Sequence, residues 1–365
     1  MLHKFKFGEI VTLNLRTYSK KRANLLARFT DIYIYIYEVY LGISEKMNKK
    51  ITIFGIGAIL CVLLFSSVFS VPAKATTDDS YKQELWVDWV NDYSSVGQPT
   101  LYGSELDGGG FYQRMRSYGC TNPKDNNGND ICPGCYGNNN ANPSHFIVAP
   151  NENKADTYAD IAYFAGHGFG AQNGAGFVFN TFDSCYGTNN VWDDYDGWGD
   201  YDLEWLTLSA CSVLGPDKSS AMSHWNDNII YPHHLHVING YQTLAYQYYG
   251  QWQNMRDSRG EIFADYLFST GNDVNGKPYA GVGNAWQHAA YDDAQLYKAY
   301  GGTNHHTIVV ATIAAIMEQY VGGSYIGSTE YFYYDKVTNP LPDAKYSGNV
   351  QYWPSGWYYT WTFTD

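Results

Sequence analysis

The chain has 365 residues, 45% of them hydrophobic and 16% charged, which is enough to bury a sizeable core and too apolar for wholesale disorder. A formal charge of −13 argues against nucleic-acid binding, which requires a basic face. Aromatics reach 17%, with 35 Tyr and 11 Trp, a surplus common where amphipathic rings meet solvent or a partner.

The N-terminal region does not read as a domain. Met47-Asn48-Lys49-Lys50 is a basic n-region, Ile51–Val71 is an apolar stretch and Ala73-Lys74-Ala75 is an A-x-A cleavage site, so residues 47–75 read as a secretory signal peptide. Met47 is then the expected start, and residues 1–46, with eight Lys/Arg against four Asp/Glu, are an over-extended gene model. The alternative is an uncleaved signal anchor, because 21 apolar residues can span a bilayer. After cleavage the protein is expected to be secreted or at the cell surface, without a membrane partner. Residues 76–365 hold 12 basic and 32 acidic groups, a net of −20, so the body attracts cations and repels anionic surfaces.

Export sets the reading of the cysteines. Cys61 leaves with the signal, and Cys120, Cys132, Cys135 and Cys185 lie in loops rich in Asn, Gly, Pro and Asp, the first three within 119–142. Two disulfides are the favoured use and one zinc site the alternative, since only Cys132-Pro133-Gly134-Cys135 has C-x-x-C spacing. Cys211 is the odd one out, because it follows an apolar run.

In chain order, Glu84–Asp92 reads as a strand, and Ser104–Tyr118 as a helix weakened by Gly108-Gly109-Gly110. Asp160–Ala165, Leu203–Ala210 and Leu235–Gly240 are short apolar runs of the kind buried strands show. Gly260–Thr270, ending at Gly271, and Ala285–Asp292 read as helices, and Thr307–Tyr320 as a further apolar helix. Apolar strands alternating with helices imply an α/β domain over 76–320, with a mainly parallel sheet covered on both faces. Residues 321–365 are aromatic and β-prone, and are expected to form a small β C-terminal extension.

Two of the apolar runs end in reactive residues, Gly166-His167-Gly168 and Ser209-Ala210-Cys211-Ser212. Residues just past the carboxyl ends of parallel strands line a common crevice. On neighbouring strands His167 and Cys211 would face each other there, with the imidazole drawing off the thiol proton. The glycines beside His167 let backbone N–H groups approach a substrate, and with the Cys211 amide these could hold an oxyanion.

Ala162–Gly168 together with Trp205–Ser212 resembles the paired His-Gly and Ala-Cys signatures of the caspase-like cysteine peptidase superfamily. That superfamily includes caspases, metacaspases, gingipains, legumains, separases and CHAT peptidases. The separation of 44 residues between His167 and Cys211 is close to the roughly 50 of caspases. Leu235–Gly240, Glu261–Gly271 and Ala285–Ala289 match the strand, helix and Ala-Trp helix order of CHAT-like domains. Residues 84–320 also resemble an uncharacterised family of exported bacterial and archaeal proteins with G-H-G and A-C-S-V-L segments, the latter here Ala210–Leu214. The resemblance implies a three-layer caspase-like sandwich, Cys211 as nucleophile, His167 as general base, and the backbone amides of Gly168 and Cys211 as oxyanion hole. It departs from caspases at Ser209 and at Ser212-Val213-Leu214, and no specificity pocket is recognisable in the sequence.

Four further clusters carry metal-ligating residue types. His233-His234-Leu235-His236 could place two imidazoles on one strand face for a metal, or bury His236 as a satisfied core residue; His305-His306 is weaker. Asp193, Asp194, Asp196, Asp200, Asp202 and Glu204 could wrap calcium, although the run fits no EF-hand, nor does Asp125–Asp130; a solvated acidic loop is the simpler reading. No cofactor is otherwise required. Two functions follow. The first is an exported cysteine peptidase acting on peptide or protein substrates, whose Cys211 stays reduced and titrates below the ordinary thiol range. The alternative is a catalytically inactive surface protein that binds a polymer or protein partner.

Overall fold

The computed structural model describes residues 83–364 apart from 125–129, 131–133, 148–153, 172–173, 184–187, 193–197, 200–201, 226–234, 246–256, 301, 303–305, 322–323 and 339–349, all within the unit Ala75–Asp365. The signal segment 47–75 and the residues ahead of it lie outside the described residues.

The apolar runs become the strands of one sheet. β1 (Leu85–Trp89), β3 (Ile161–Ala165), β7 (Trp205–Ser209) and β8 (Val237–Tyr241) are joined in parallel in the order β1-β3-β7-β8, with the short β2 (Cys135–Gly137) parallel on the outer side of β1. Adjacent residues of a strand point to opposite faces, and in β3 both Tyr163 and Phe164 are fully buried, so both faces are covered.

On one face Tyr163 stacks on Phe111 of α1 (Ser104–Ser117), with ring centroids 4.4 Å apart, and meets Phe263 of α4 (Arg259–Leu267) and Trp286 of α5 (Val282–Ala299). On the other, Phe164 packs against Phe177 and Phe179 at 4.6 and 5.0 Å. Those rings belong to a three-stranded antiparallel sheet, β4 (Gly168–Ala171), β5 (Gly174–Asp183) and β6 (Thr188–Trp192). Two short helices, α2 (Lys154–Tyr158) and α3 (Lys218–Trp225), complete that layer. The result is an α/β fold with a mainly parallel, mixed central sheet between two layers.

The glycines that weaken α1 on propensity let it pack. A Cβ at Gly108 would lie 3.0 Å from Trp89 Cβ, and one at Gly110 would lie 2.6 Å from the Ser258 hydroxyl at the start of α4. Helix α4 opens one residue ahead of the sequence expectation with a capping box. Ser258 Oγ accepts from the Glu261 amide, and Glu261 Oε2 accepts from the Ser258 amide. It ends at Leu267, with Phe268 rather than Gly271 at its cap.

Thr307–Tyr320 is not a helix. It is the long strand β9 (Thr307–Val321), antiparallel to β8. Length and apolarity cannot separate a buried helix from a strand sandwiched between two layers. The β-branched residues Ile308, Val309, Val310, Thr312, Ile313 and Ile316 favour the strand, and Ile308, Val310, Thr312, Ile313 and Ile316 are buried. The aromatic C-terminal residues form β10 (Ser324–Tyr331) and β11 (Val350–Thr364), which both pair with β9 and bring the main sheet to eight strands. Among the described residues no helix is long and apolar enough to cross a membrane.

Candidate active site

The parallel pairing of β3 with β7 sets Ala165 beside Ser209, and the Gly166 amide continues the ladder by donating to the Ser209 carbonyl at 3.3 Å. Both strands end there, and each releases its reactive residue two positions later, His167 from β3 and Cys211 from β7. The loops that carry them touch. A Cβ on Gly168 would collide with the Cys211 carbonyl oxygen, and one on Gly170 with that of Ser212. The two backbones expected to supply oxyanion donors, at Gly168 and Cys211, are thus in contact. Ser212 turns the chain with a φ of 52°, a left-handed conformation that a non-glycine residue seldom adopts.

His167 is held from both ends. Its backbone N–H donates to the Tyr93 hydroxyl at 2.8 Å, and that hydroxyl donates to the Val178 carbonyl at 2.9 Å. The Tyr93 ring is fully buried and lies 4.5 Å from the imidazole. Nε2 lies 2.8 Å from the Pro99 carbonyl oxygen. A carbonyl can only accept, so Nε2 carries the proton and the lone pair of the neutral ring is on Nδ1.

Cys211 is half-buried and engages the other neighbouring strand. The segment after β8 runs alongside: the Ser212 amide donates to the Thr243 carbonyl, and the Ala245 amide donates to Cys211 Sγ at 3.3 Å. Among the described residues no hydrogen bond joins Sγ to the His167 ring. The expectation of a depressed thiol pKa is overturned: burial pushes the Cys211 thiol up, and the Ala245 amide and the Arg259 charge offset this only in part. Burial likewise lowers the His167 pKa, against the pull of the Pro99 carbonyl. Both groups rest neutral at pH 7.

Beneath the strand ends lies a charged network that the sequence reading missed. Ser209 Oγ donates to Asp107 Oδ2 at 2.5 Å and accepts from Arg259 Nη1 at 3.0 Å. Arg259 also grips Asp293 Oδ2 through Nε and Nη2, at 3.1 and 2.8 Å. Tyr163 and the Gly260 amide donate to Asp107 Oδ1 at 2.9 and 2.7 Å. All three charged residues are buried, joining α1, α4 and α5 to the strand that delivers Cys211. The available signal was charge on helix faces that otherwise read as buried.

The remaining predicted sites do not converge on this crevice. Cys132 and Cys185 lie outside the described residues; among the described residues no disulfide is formed, Cys120 being buried after α1 and Cys135 a reduced, half-buried residue of β2. Asp193, Asp194, Asp196 and Asp200 also lie outside. The Asp202 amide donates to the Asp156 carbonyl at the opposite, amino edge of the sheet, where Asp202 and Glu204 help burial hold the Asp160 carboxyl well above its usual range. Among the described residues no group of His, Cys, Asp or Glu is arranged to hold a metal. His236 is a core residue, its Nδ1 2.7 Å from Asp335 Oδ2, while His233, His234 and His305 lie outside the described residues.

Fold and site define an α/β protein with a histidine and a cysteine at the carboxyl ends of adjacent parallel strands. The chain belongs to the family described as a domain of unknown function, DUF6345, whose model matches residues 87–352 and so includes both His167 and Cys211. No curated protein matches it.

Proposed function

We propose that the chain is an exported, caspase-like cysteine peptidase that hydrolyses peptide bonds through Cys211 and His167. The observation that carries this reading is the juxtaposition of the two loops at the ends of β3 and β7, with Gly168 against the Cys211 carbonyl. The protonation states set the chemistry. With Nε2–H committed to Pro99, Nδ1 is the base. The thiol turns away from the Ala245 amide, its proton passes to Nδ1, and sulfur adds to the scissile carbonyl as the C–S bond forms. The carbonyl electrons become an oxyanion for the Gly168 and Cys211 amides. When the tetrahedral adduct collapses, the C–N bond breaks and the imidazolium gives its proton to the leaving amine. Water, deprotonated by the same nitrogen, then releases the acyl group and restores the thiol. Two neutral partners make this general-base catalysis rather than attack by a preformed thiolate–imidazolium pair.

A second reading, an inactive scaffold that binds a polymer or protein through its aromatic, acidic surface, draws support from the thiol's engagement with Ala245 rather than with His167. One experiment separates the two. The full chain and its Cys211→Ala variant are incubated with a diverse peptide pool under mild reductant, and new termini are read by mass spectrometry. The peptidase requires termini made by the parent alone. Cleavage by neither leaves the scaffold.

A further inference from the structure

The carboxyl edge of the sheet continues past His167 to the ends of β1 and β2, where an open cavity of about 500 Å³ is lined by Trp89, Glu105, Tyr136, Asn138 and Asn140 among others. Each lining group is set by the fold. Trp89 and Gly137 are paired across β1 and β2, and a Cβ on Gly137 would fall 2.5 Å from two carbons of the indole, so the glycine lets the ring lie flat over the edge strand. Glu105, in the first turn of α1, is steadied by Asn91, which donates through Nδ2 to Glu105 Oε2 at 3.2 Å and accepts the Glu105 amide at 2.8 Å. The other carboxylate oxygen makes no hydrogen bond among the described residues, and no cation pairs with Glu105 there. Asn138 holds a φ of 48° and uses Oδ1 to accept the Asn91 and Asp92 amides at 2.8 and 3.0 Å, which fixes the cavity's floor to the end of β1.

A half-buried indole face and an exposed, oriented carboxylate with one oxygen unengaged are complementary to a flat cation. A guanidinium both gains a cation–π contact with the ring and ion-pairs with the acid; a neutral side chain forms no ion pair and an anionic one is repelled. The net charge of −20 on residues 76–365 biases approach the same way. Adjacent strands lie about 4.8 Å apart, so the gap between β1 and β2 is roughly 10–14 Å from Cys211, which an extended peptide at about 3.3 Å per residue spans in about three to four residues. We infer that this cavity is a specificity subsite for an arginine side chain of the peptide whose carbonyl is presented to Cys211. The inference rests on the peptidase reading for its substrate, though the binding it describes does not require catalysis.

The test uses the full chain carrying Cys211→Ala and acetylated, amidated alanine hexapeptides with arginine at one of the third to fifth positions, or citrulline as the neutral isostere. Calorimetry should find the best arginine peptide bound at least tenfold tighter than its citrulline twin. That preference should disappear in Glu105→Gln, a surface change that leaves the melting temperature unmoved, and weaken in Trp89→Phe. Equal binding of the twins, a preference that survives Glu105→Gln, or no binding of any peptide would overturn the subsite. The two proposals fail separately. If the parent cleaves peptides without regard to arginine, the subsite falls and the peptidase stands. Selective arginine binding without cleavage by the parent leaves the subsite standing and removes the peptidase.

Discussion

The two reactive side chains rest in the protonation states that burial dictates, and this has measurable consequences. With its pKa pushed up, Cys211 carries less thiolate at pH 7 than an ordinary cysteine near 8.5. Its alkylation by iodoacetamide should therefore be slower than that of glutathione at pH 7, and should climb as pH passes 9. Rapid labelling of Cys211 at pH 7 would contradict the neutral pair. For His167 the folded state disfavours the proton, so acidification draws protons to the unfolded chain first, near pH 6.5. The imidazole's contribution to stability is complete above that pH and is lost as pH falls through its lower folded value. The acid limb of a pH–rate profile should lie below the ordinary histidine range for the same reason. Tyr93 holds His167 through its backbone N–H. Tyr93→Phe strands the His167 N–H and the Val178 carbonyl in a buried place, at about 1–3 kcal/mol. Thermal melting should register that loss, and under the proposed peptidase mechanism kcat should fall with KM nearly unchanged, because His167 is displaced and the substrate contacts are not.

At the scale of elements, what brings the His167 and Cys211 loops together is the absence of side chains between β4 and the Cys211 turn. Gly168→Ala forces a methyl into the Cys211 carbonyl, so either β4 or the turn must shift. The expected cost is about 1–3 kcal/mol of stability with loss of peptide cleavage, read by denaturant titration and by the peptide-pool assay. The pairing of Gly-His-Gly with Ala-Cys was legible in the sequence because both ride on apolar runs that end abruptly. The partners Pro99 and Ala245 were not, since they act through backbone atoms that any residue carries. The Asp107–Arg259–Asp293 network was hidden for another reason: its members lie on three helices far apart in sequence, and only the packing of Gly108, Gly110 and Gly260 brings them together. Strands β3, β7 and β8 were readable as short, mainly apolar runs, and β1 from its Trp and Val residues. β9 has the same character at three times the length of those strands, 15 residues against 5, and so read as a helix. β4 and β5, which begin in glycines, and the polar β6 gave no period to read.

Across the whole molecule, β9 is the hinge between the parallel core and the C-terminal strands. β11 pairs with it from Thr307 to Val321, and Trp361 and Phe363 pack on Tyr291 of α5 at 5.1 and 5.5 Å. A chain ending at residue 349 would bare one edge of β9 and the Tyr291 ring together, leaving a long flat apolar edge. Such a truncation should aggregate on expression or melt well below the full chain, as differential scanning fluorimetry would show. The direction of β11 has a consequence for handling the protein. Thr364 lies beside Thr307, at the same edge of the sheet where Gln242 bonds to Val309 and Thr243 to Ser212. The chain enters β1 at the opposite edge. A reporter or affinity label fused after Thr364 would stand in the doorway of the crevice, while one carried ahead of Gln83 would hang from the far side and leave that doorway clear.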